Sequence, residues 1–268
     1  MNTPLCQKTI IQQLKLKNFN KPINFHLYDS IDSTNRVLKD LPKSTSIEIA
    51  ASETQTKGRG RFGRDWHSPH GENIYFSSKW NFFFEPTKFS ALSLIVSLAI
   101  LKTIEEFKFK ENISIKWPND IYWFNKKISG TLIELNKDNE KNIEVIIGIG
   151  LNVNSNFANS PLNMLPEKPW GSLYEINGKY IDRNLIISSL IINLDKYLTN
   201  FIDIGAKDFL KEWQKVDYLF GKKITMHKGN EILHGTAMGI NEAGLLMLLD
   251  EKGKTHYLSS GEATLHST

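Results

Sequence analysis

Residues 113–135 read ISIKWPNDIYWFNKKISGTLIEL. Within them, Ile113–Lys116, Ile121–Phe124 and Ile128–Leu135 are short runs rich in β-branched and aromatic residues, which suit a pleated, half-buried strand. Pro118 locks its own φ and keeps Trp117 out of the helical region, so the chain bends there and carries Asn119 and Asp120 to the sheet rim. Asn125-Lys126 supplies a hairpin turn. Strands joined this closely run antiparallel, so the sheet is antiparallel or mixed and the fold class is α+β.

The same texture continues on both sides. Ile47–Ala51, Ile74–Trp80 and Ile143–Val153 read as further strands, the last entered through a turn at Lys137-Asp138-Asn139-Glu140. Leu92, Ile95, Val96, Ala99, Ile100, Thr103, Ile104 and Phe107 recur at helical spacing and predict an amphipathic helix over 88–109 that packs on the sheet. A second helix opens at the N-cap Asp182 and shows Ile186, Leu190, Leu194, Tyr197, Leu198 and Phe201 on one face; a third runs from about Ala206 to Lys215. After Gly221 the chain turns to short strands separated by Lys228-Gly229-Asn230, Asn241–Gly244 and Asp250–Gly253, the pattern of a small β-barrel. The expected division is a catalytic domain over 1–218 and a C-terminal barrel over 219–268. Asn154–Gly171, rich in Asn and Pro, reads as a long loop, either a surface excursion or a lid.

Composition narrows the class. With 268 residues, 40% of them hydrophobic, the chain can bury a full core. A net charge of +4 is too small an imbalance for a dedicated nucleic-acid binder and suits a small polyanion equally well. The lone Cys6 excludes an internal disulfide and points to a reducing compartment, so the cytoplasm is expected. Residues 1–20 lack a signal-peptide pattern and the apolar run Ala91–Leu101 is too short to span a bilayer, so no membrane role is expected. Seven scattered histidines show no ligand spacing, and no protein-held metal is expected.

Lys57–Arg64 carries four cations and three glycines in eight residues and leads into Trp66. Glycine lets the backbone approach a ligand, and guanidinium forks meet anionic oxygens two at a time, so this loop is suited to an anion. Ser33-Thr34-Asn35 has two readings, a helix N-cap or a set of donors and acceptors for a polar ligand. Asp120 is a turn residue or a general base, and Lys127 a solvated turn lysine or a catalytic cation. Gly148 and Gly150 alternate within a strand, which signals close approach of a ligand or another backbone.

Taken in order, Asp32–Asn35, Gly58–Arg64 with Trp66, Lys116–Asp120, Lys127–Leu132 and Gly148–Asn152 resemble the motifs of biotin protein ligases. The resemblance covers about residues 25–266. It implies a mixed-sheet catalytic domain and an SH3-like C-terminal barrel. It also implies a two-step reaction, in which biotin and ATP form biotinyl-5′-AMP and the biotinyl group passes to a lysine of a biotin carboxyl carrier domain. On the family pattern Ser33, Thr34, Asn35 and Gln55 hold the ureido ring, while Arg59, Gly60, Arg61, Lys127 and Gly130 complete the biotin site. Arg59, Arg61, Arg64, Trp66, Asn119, Asp120, Lys127 and Asn152 serve ATP and the adenylate. Lys127, Asp120 and Arg61 carry the chemistry, with Mg²⁺ entering on the triphosphate.

Only about 25 residues precede the catalytic motifs, so the monofunctional form without a DNA-binding module is expected. The family's terminal barrel arginine is replaced by His266, and no barrel residue is carried over to the nucleotide. The rivals are a lipoate or octanoate ligase or transferase, which as a family lacks the Arg/Gly loop, and a nucleic-acid-binding protein. Ile143–Val153 stays open between a covered core strand and an exposed edge pairing with its twin in a homodimer.

Overall fold

The strands of residues 113–135 form one side of a seven-stranded mixed sheet. The computed structural model describes residues 2–82, 89–109, 111–138, 142–157, 169–229 and 231–265. Along the chain these form α1 (Gln7–Leu16), β1 (Ile23–Ile31), α2 (Thr34–Asp40), β2 (Ile47–Gln55), β3 (Ile74–Phe82), α3 (Phe89–Glu106), β4 (Ile113–Lys116) and β5 (Asp120–Trp123). There follow β6 (Lys126–Asp138), β7 (Asn142–Leu151), α4 (Leu173–Asn177), α5 (Arg183–Ile204) and α6 (Leu210–Gln214). The sheet order is β1-β2-β3-β7-β6-β5-β4, antiparallel except for the β1–β2 pair, which is joined through α2.

Alternation along the strands separates a core face from a site face. On β7, Val145, Ile147 and Ile149 join the main core, whereas Ile146 packs on the other face with Leu38 of α2 and Ala50 of β2. Gly148 and Gly150 continue the Ile146 face, where the strand carries no side chain at all. On the core face lie α3 and α5, the latter capped by Asp182, which accepts from Asn184 N. By length and apolarity α5 is the one described helix able to cross a bilayer, yet Ile186, Ile187, Leu190, Ile191, Leu194 and Leu198 are buried in this core.

A bulge decides which way the site lysine points. Tyr122 pairs with Lys127 and Asp120 with Gly130, so between these pairs β6 has one residue more than β5. That extra residue returns Ile128 to the core and turns Lys127 and Gly130, three positions apart, to the same face as Asp120. In strict alternation Lys127 and Gly130 would face opposite sides.

β7 lies between β3 and β6 and is hydrogen-bonded on both sides, which corrects the alternative of an exposed edge able to pair with a twin. The edges are β1 and β4, and β4 is itself covered, since Ile115 N donates to Val216 O and Tyr218 N to Ile115 O. The expected third helix is a 3-10 turn at Lys207–Phe209 followed by α6. The turn expected at Lys137–Glu140 falls partly outside the described residues.

A second sheet, β8 (Lys223–Lys228), β9 (Glu231–Ile240), β10 (Leu246–Leu249), β11 (Thr255–Leu258) and β12 (Glu262–Leu265), is antiparallel in the order β11-β10-β9-β8-β12. No β11–β12 pairing closes it among the described residues. It docks against α3: a Cβ on Gly244, at φ 76°, would press on Ala91 and Leu94, and Trp117 Nε1 donates to Gly244 O at 3.3 Å.

Candidate active site

The N-terminus of α2 opens on the site face as a polar niche. Ser33 stands at the N-cap position, but its hydroxyl makes no capping bond, and Ser33, Thr34 and Asn35 are all buried. Thr34 N donates to Gln55 Oε1 at 2.9 Å, which ties the niche to the end of β2. Ser77, on β3, lies beneath: its Oγ is 2.7 Å from Thr34 Oγ1 and 2.6 Å from Asn35 Oδ1. A hydroxyl has one hydrogen and serves one of these at a time. Both Asn35 Nδ2 hydrogens have acceptors, Leu132 O at 3.3 Å and Glu134 Oε2 at 2.7 Å. Asn35 Oδ1 keeps a lone pair, so the niche can receive an N–H donor.

Residues 58–66 fold back on themselves. Trp66 N donates to Gly58 O at 2.9 Å and Gly60 N to Arg64 O at 2.6 Å, around a tight turn with Phe62 at φ 58° and Gly63 at φ 72°. Three contacts hold this loop over the sheet. Arg59 pairs with Glu134 at 3.7 Å, Arg61 donates to Asn119 Oδ1 at 3.0 Å, and Arg64 pairs with Glu262 of β12 at 3.1 Å. Burial pulls the Arg61 guanidinium below its ordinary pKa, with nearby Asp120 opposing the shift. Asn119 is buried and fixed in turn by donation to Thr131 O at 2.5 Å.

Between niche and loop, Lys127 Nζ lies 2.7 Å from Asp120 Oδ1 and 5.4 Å from the centre of a Trp66 ring. The indole of Trp66 lies against Gly130 and Gly150, where any Cβ would meet it, and Asn35 lies against Gly148 in the same way. The alternating glycines therefore receive side chains of this protein. Trp66 Nε1 is buried and has no hydrogen-bond partner among the described residues. Trp170 stacks near Trp66, and its segment is pinned to the lysine's own backbone: Lys127 N donates to Pro169 O and Gly171 N to Lys127 O.

These groups surround a cavity of about 460 Å³. Ser33, Thr34, Asn35, Gln55, Arg59, Gly60, Arg61, Arg64, Trp66, Asn119, Asp120, Lys127 and Gly130 all line it. Asn152 does not: its amide donates to Gly171 O at 3.0 Å and its backbone joins Ile128 and Leu173, so it braces the segment behind Lys127. Trp170 and Gly261–Ala263 also line the cavity and were not anticipated. Trp170 lies near the end of the stretch Asn154–Gly171, read as a long loop, of which 158–168 lie outside the described residues. Glu262 precedes His266 by four positions in sequence, His266 itself lying outside the described residues, and no local motif signals that β12 reaches the loop.

Residues 27–152 match the model of the biotin/lipoate A/B protein ligase family, and residues 219–265 match the biotin protein ligase C terminal domain. The class is thus that of the biotin and lipoate protein ligases. The bifunctional ligase/repressor BirA of Salmonella typhimurium is 31% identical over 238 residues, covering 88% of this chain and 72% of that protein. The biotin–[acetyl-CoA-carboxylase] ligase of Mycobacterium tuberculosis is 27% identical over 80% of this chain and 77% of its own length. The solved biotin protein ligase of Aquifex aeolicus, in complex with biotin and ATP, superposes with a TM-score of 0.76 at 31% identity, covering 93% of this chain and 100% of that one. The chain belongs to the biotin protein ligase family and is a ligase.

Proposed function

We propose that this ligase joins biotin to AMP and then passes it to a lysine of a biotin carboxyl carrier domain. The observation that supports this most directly is the Lys127–Asp120 pair, 2.7 Å apart, between a polar niche and a guanidinium loop in one cavity. A neutral bicyclic ureide suits the niche of Ser33, Thr34, Asn35 and Gln55, where matched hydrogen bonds select it from isosteres. Its carboxylate then extends toward Lys127.

In the first step a carboxylate oxygen attacks the α-phosphorus, the bond to the bridging α–β oxygen breaks and pyrophosphate leaves. Lys127, with Arg59 and Arg61, offsets the repulsion between carboxylate and phosphate and the charge that builds in the transition state. In the second step the uncharged amine of the carrier lysine attacks the biotinyl carbonyl, an amide forms and AMP leaves. Asp120 is the carboxylate placed to take the proton that the amine sheds. Gly60 leaves room for the chain of biotin and Gly130 for the side chains of Lys127 and Trp66 that flank it, while Arg64, Trp66 and Asn119 face the nucleotide. Mg²⁺ would arrive with ATP. Asp120 and Glu262 are paired with Lys127 and Arg64, and no group of three metal-binding side chains occurs among the described residues, so the triphosphate oxygens are its natural ligands.

The test incubates the protein with ATP, Mg²⁺, biotin and a carrier domain and follows the carrier's mass. A gain of one biotinyl group is expected. Transfer of lipoate with none of biotin would overturn the proposal.

A further inference from the structure

We infer that Glu134 is a positioning residue that couples the biotin niche to the arginine loop, an inference that rests on the biotin reading above. One oxygen does both tasks: Glu134 Oε2 accepts from Asn35 Nδ2 at 2.7 Å and faces Arg59 Nη2 at 3.7 Å. Glu134 is on β6, on the face of Gly130 and Leu132, and does not itself line the cavity.

Its first effect is on the orientation of an amide. A carboxamide can turn its oxygen and nitrogen end for end, and its neighbours decide which way it faces. An ionised carboxylate only accepts, so Glu134 requires Asn35 Nδ2 on its side, and Leu132 O takes the other hydrogen. Asn35 Oδ1 is thereby held toward Ser77 and Gly148 as an acceptor. A ureido N–H needs an acceptor there; the flipped amide would present a donor to it.

The second effect is on the loop. Arg59 stands four residues past Gln55, at the root of the loop, and Glu134 is its ion-pair partner among the described residues. The same carboxylate thus anchors the loop beside the niche, so loss of its charge loosens both.

Glu134→Gln keeps the shape, removes the charge and offers either an acceptor or a donor to Asn35. Biotin affinity by calorimetry is expected to fall on the order of tenfold, as for loss of a charged hydrogen-bond partner. Trypsin should cut after Arg61 and Arg64 severalfold faster at saturating biotin. The adenylation kcat at saturating biotin should fall less than biotin affinity does, because Lys127 and Asp120 are untouched and only Arg59 is loosened; a merely structural role would lower kcat and thermal midpoint together. Arg59→Ala should reproduce the faster cutting with a smaller loss of biotin affinity. Glu134→Thr, which suits a strand, should show the same two losses if Gln disturbs folding. A variant that binds biotin and resists trypsin like the wild type overturns this inference alone. A wild-type protein blind to biotin overturns the functional reading, and this inference with it.

Discussion

Lys127 and Asp120 face each other at 2.7 Å because a one-residue bulge at Ile128 brings the lysine onto the aspartate's side of the sheet. Both stand on neighbouring strands whose backbones are hydrogen-bonded, so the pair is held before any substrate arrives. Lys127→Ala should lower the rate of adenylate formation by about 10²–10³-fold, the loss typical of a positioned donor to transition-state charge. Asp120→Asn should depress transfer to the carrier more than formation of the adenylate. Pyrophosphate release and carrier mass, measured separately on each variant, check the two steps.

Trp66 occupies the space that a side chain on Gly150 would need. Gly150→Ala should therefore displace the indole and destabilise the fold by about 1–3 kcal/mol, as overpacking does elsewhere. Trp66→Leu in the same chain should recover part of that loss. Urea unfolding of the two single variants and the double variant checks it, non-additivity being the expected result.

Arg64 and Glu262 are more than a third exposed and about a third exposed, respectively, and their pairing should be worth no more than about 1 kcal/mol to stability. On the proposed reading its effect is on nucleotide binding. Glu262→Lys should raise the KM for ATP severalfold while the thermal midpoint moves little, as read from steady-state kinetics beside a melting curve.

Arg183 is buried against Glu53 at 2.7 Å and also donates to Asn73 O and to Thr3 O of the N-terminal arm, while Glu53 accepts from Leu5 N at 2.6 Å. Arg183→Met leaves the Glu53 carboxylate in the interior and should cost about 3–5 kcal/mol. Chemical denaturation measures the loss. Proteolysis near residues 2–6 should accelerate as the arm detaches.

Much of this arrangement was legible in the sequence because it rests on local chemistry. The turn residues of 113–135, the helical spacing of Leu92–Ile104 and the ordered motifs carry the sheet, the core helix and all but one of the anticipated cavity residues. Gly148 and Gly150 were legible as places of close approach, but not what approaches, since Asn35 and Trp66 come from distant segments. The register offset at Ile128 is set by pairing with β5 and leaves no trace in composition. β1 and α1 went unread: INFHLYDSI mixes exposed and buried positions without clean alternation, and α1 buries only Ile10 and Leu14. Asn152 shares the glycine motif by sequence, yet the strand ends just before it and hands its amide to Gly171.

Gly261–Ala263 complete the wall of a cavity whose other end is built by Ser33. On a nascent chain the cavity therefore stays open on one side until residues 261–263 have left the ribosome and β12 has paired with β8. A chain shortened before β12 would keep Lys127 and Asp120 on their strands yet lose the Gly261–Ala263 wall and the Glu262 anchor of Arg64.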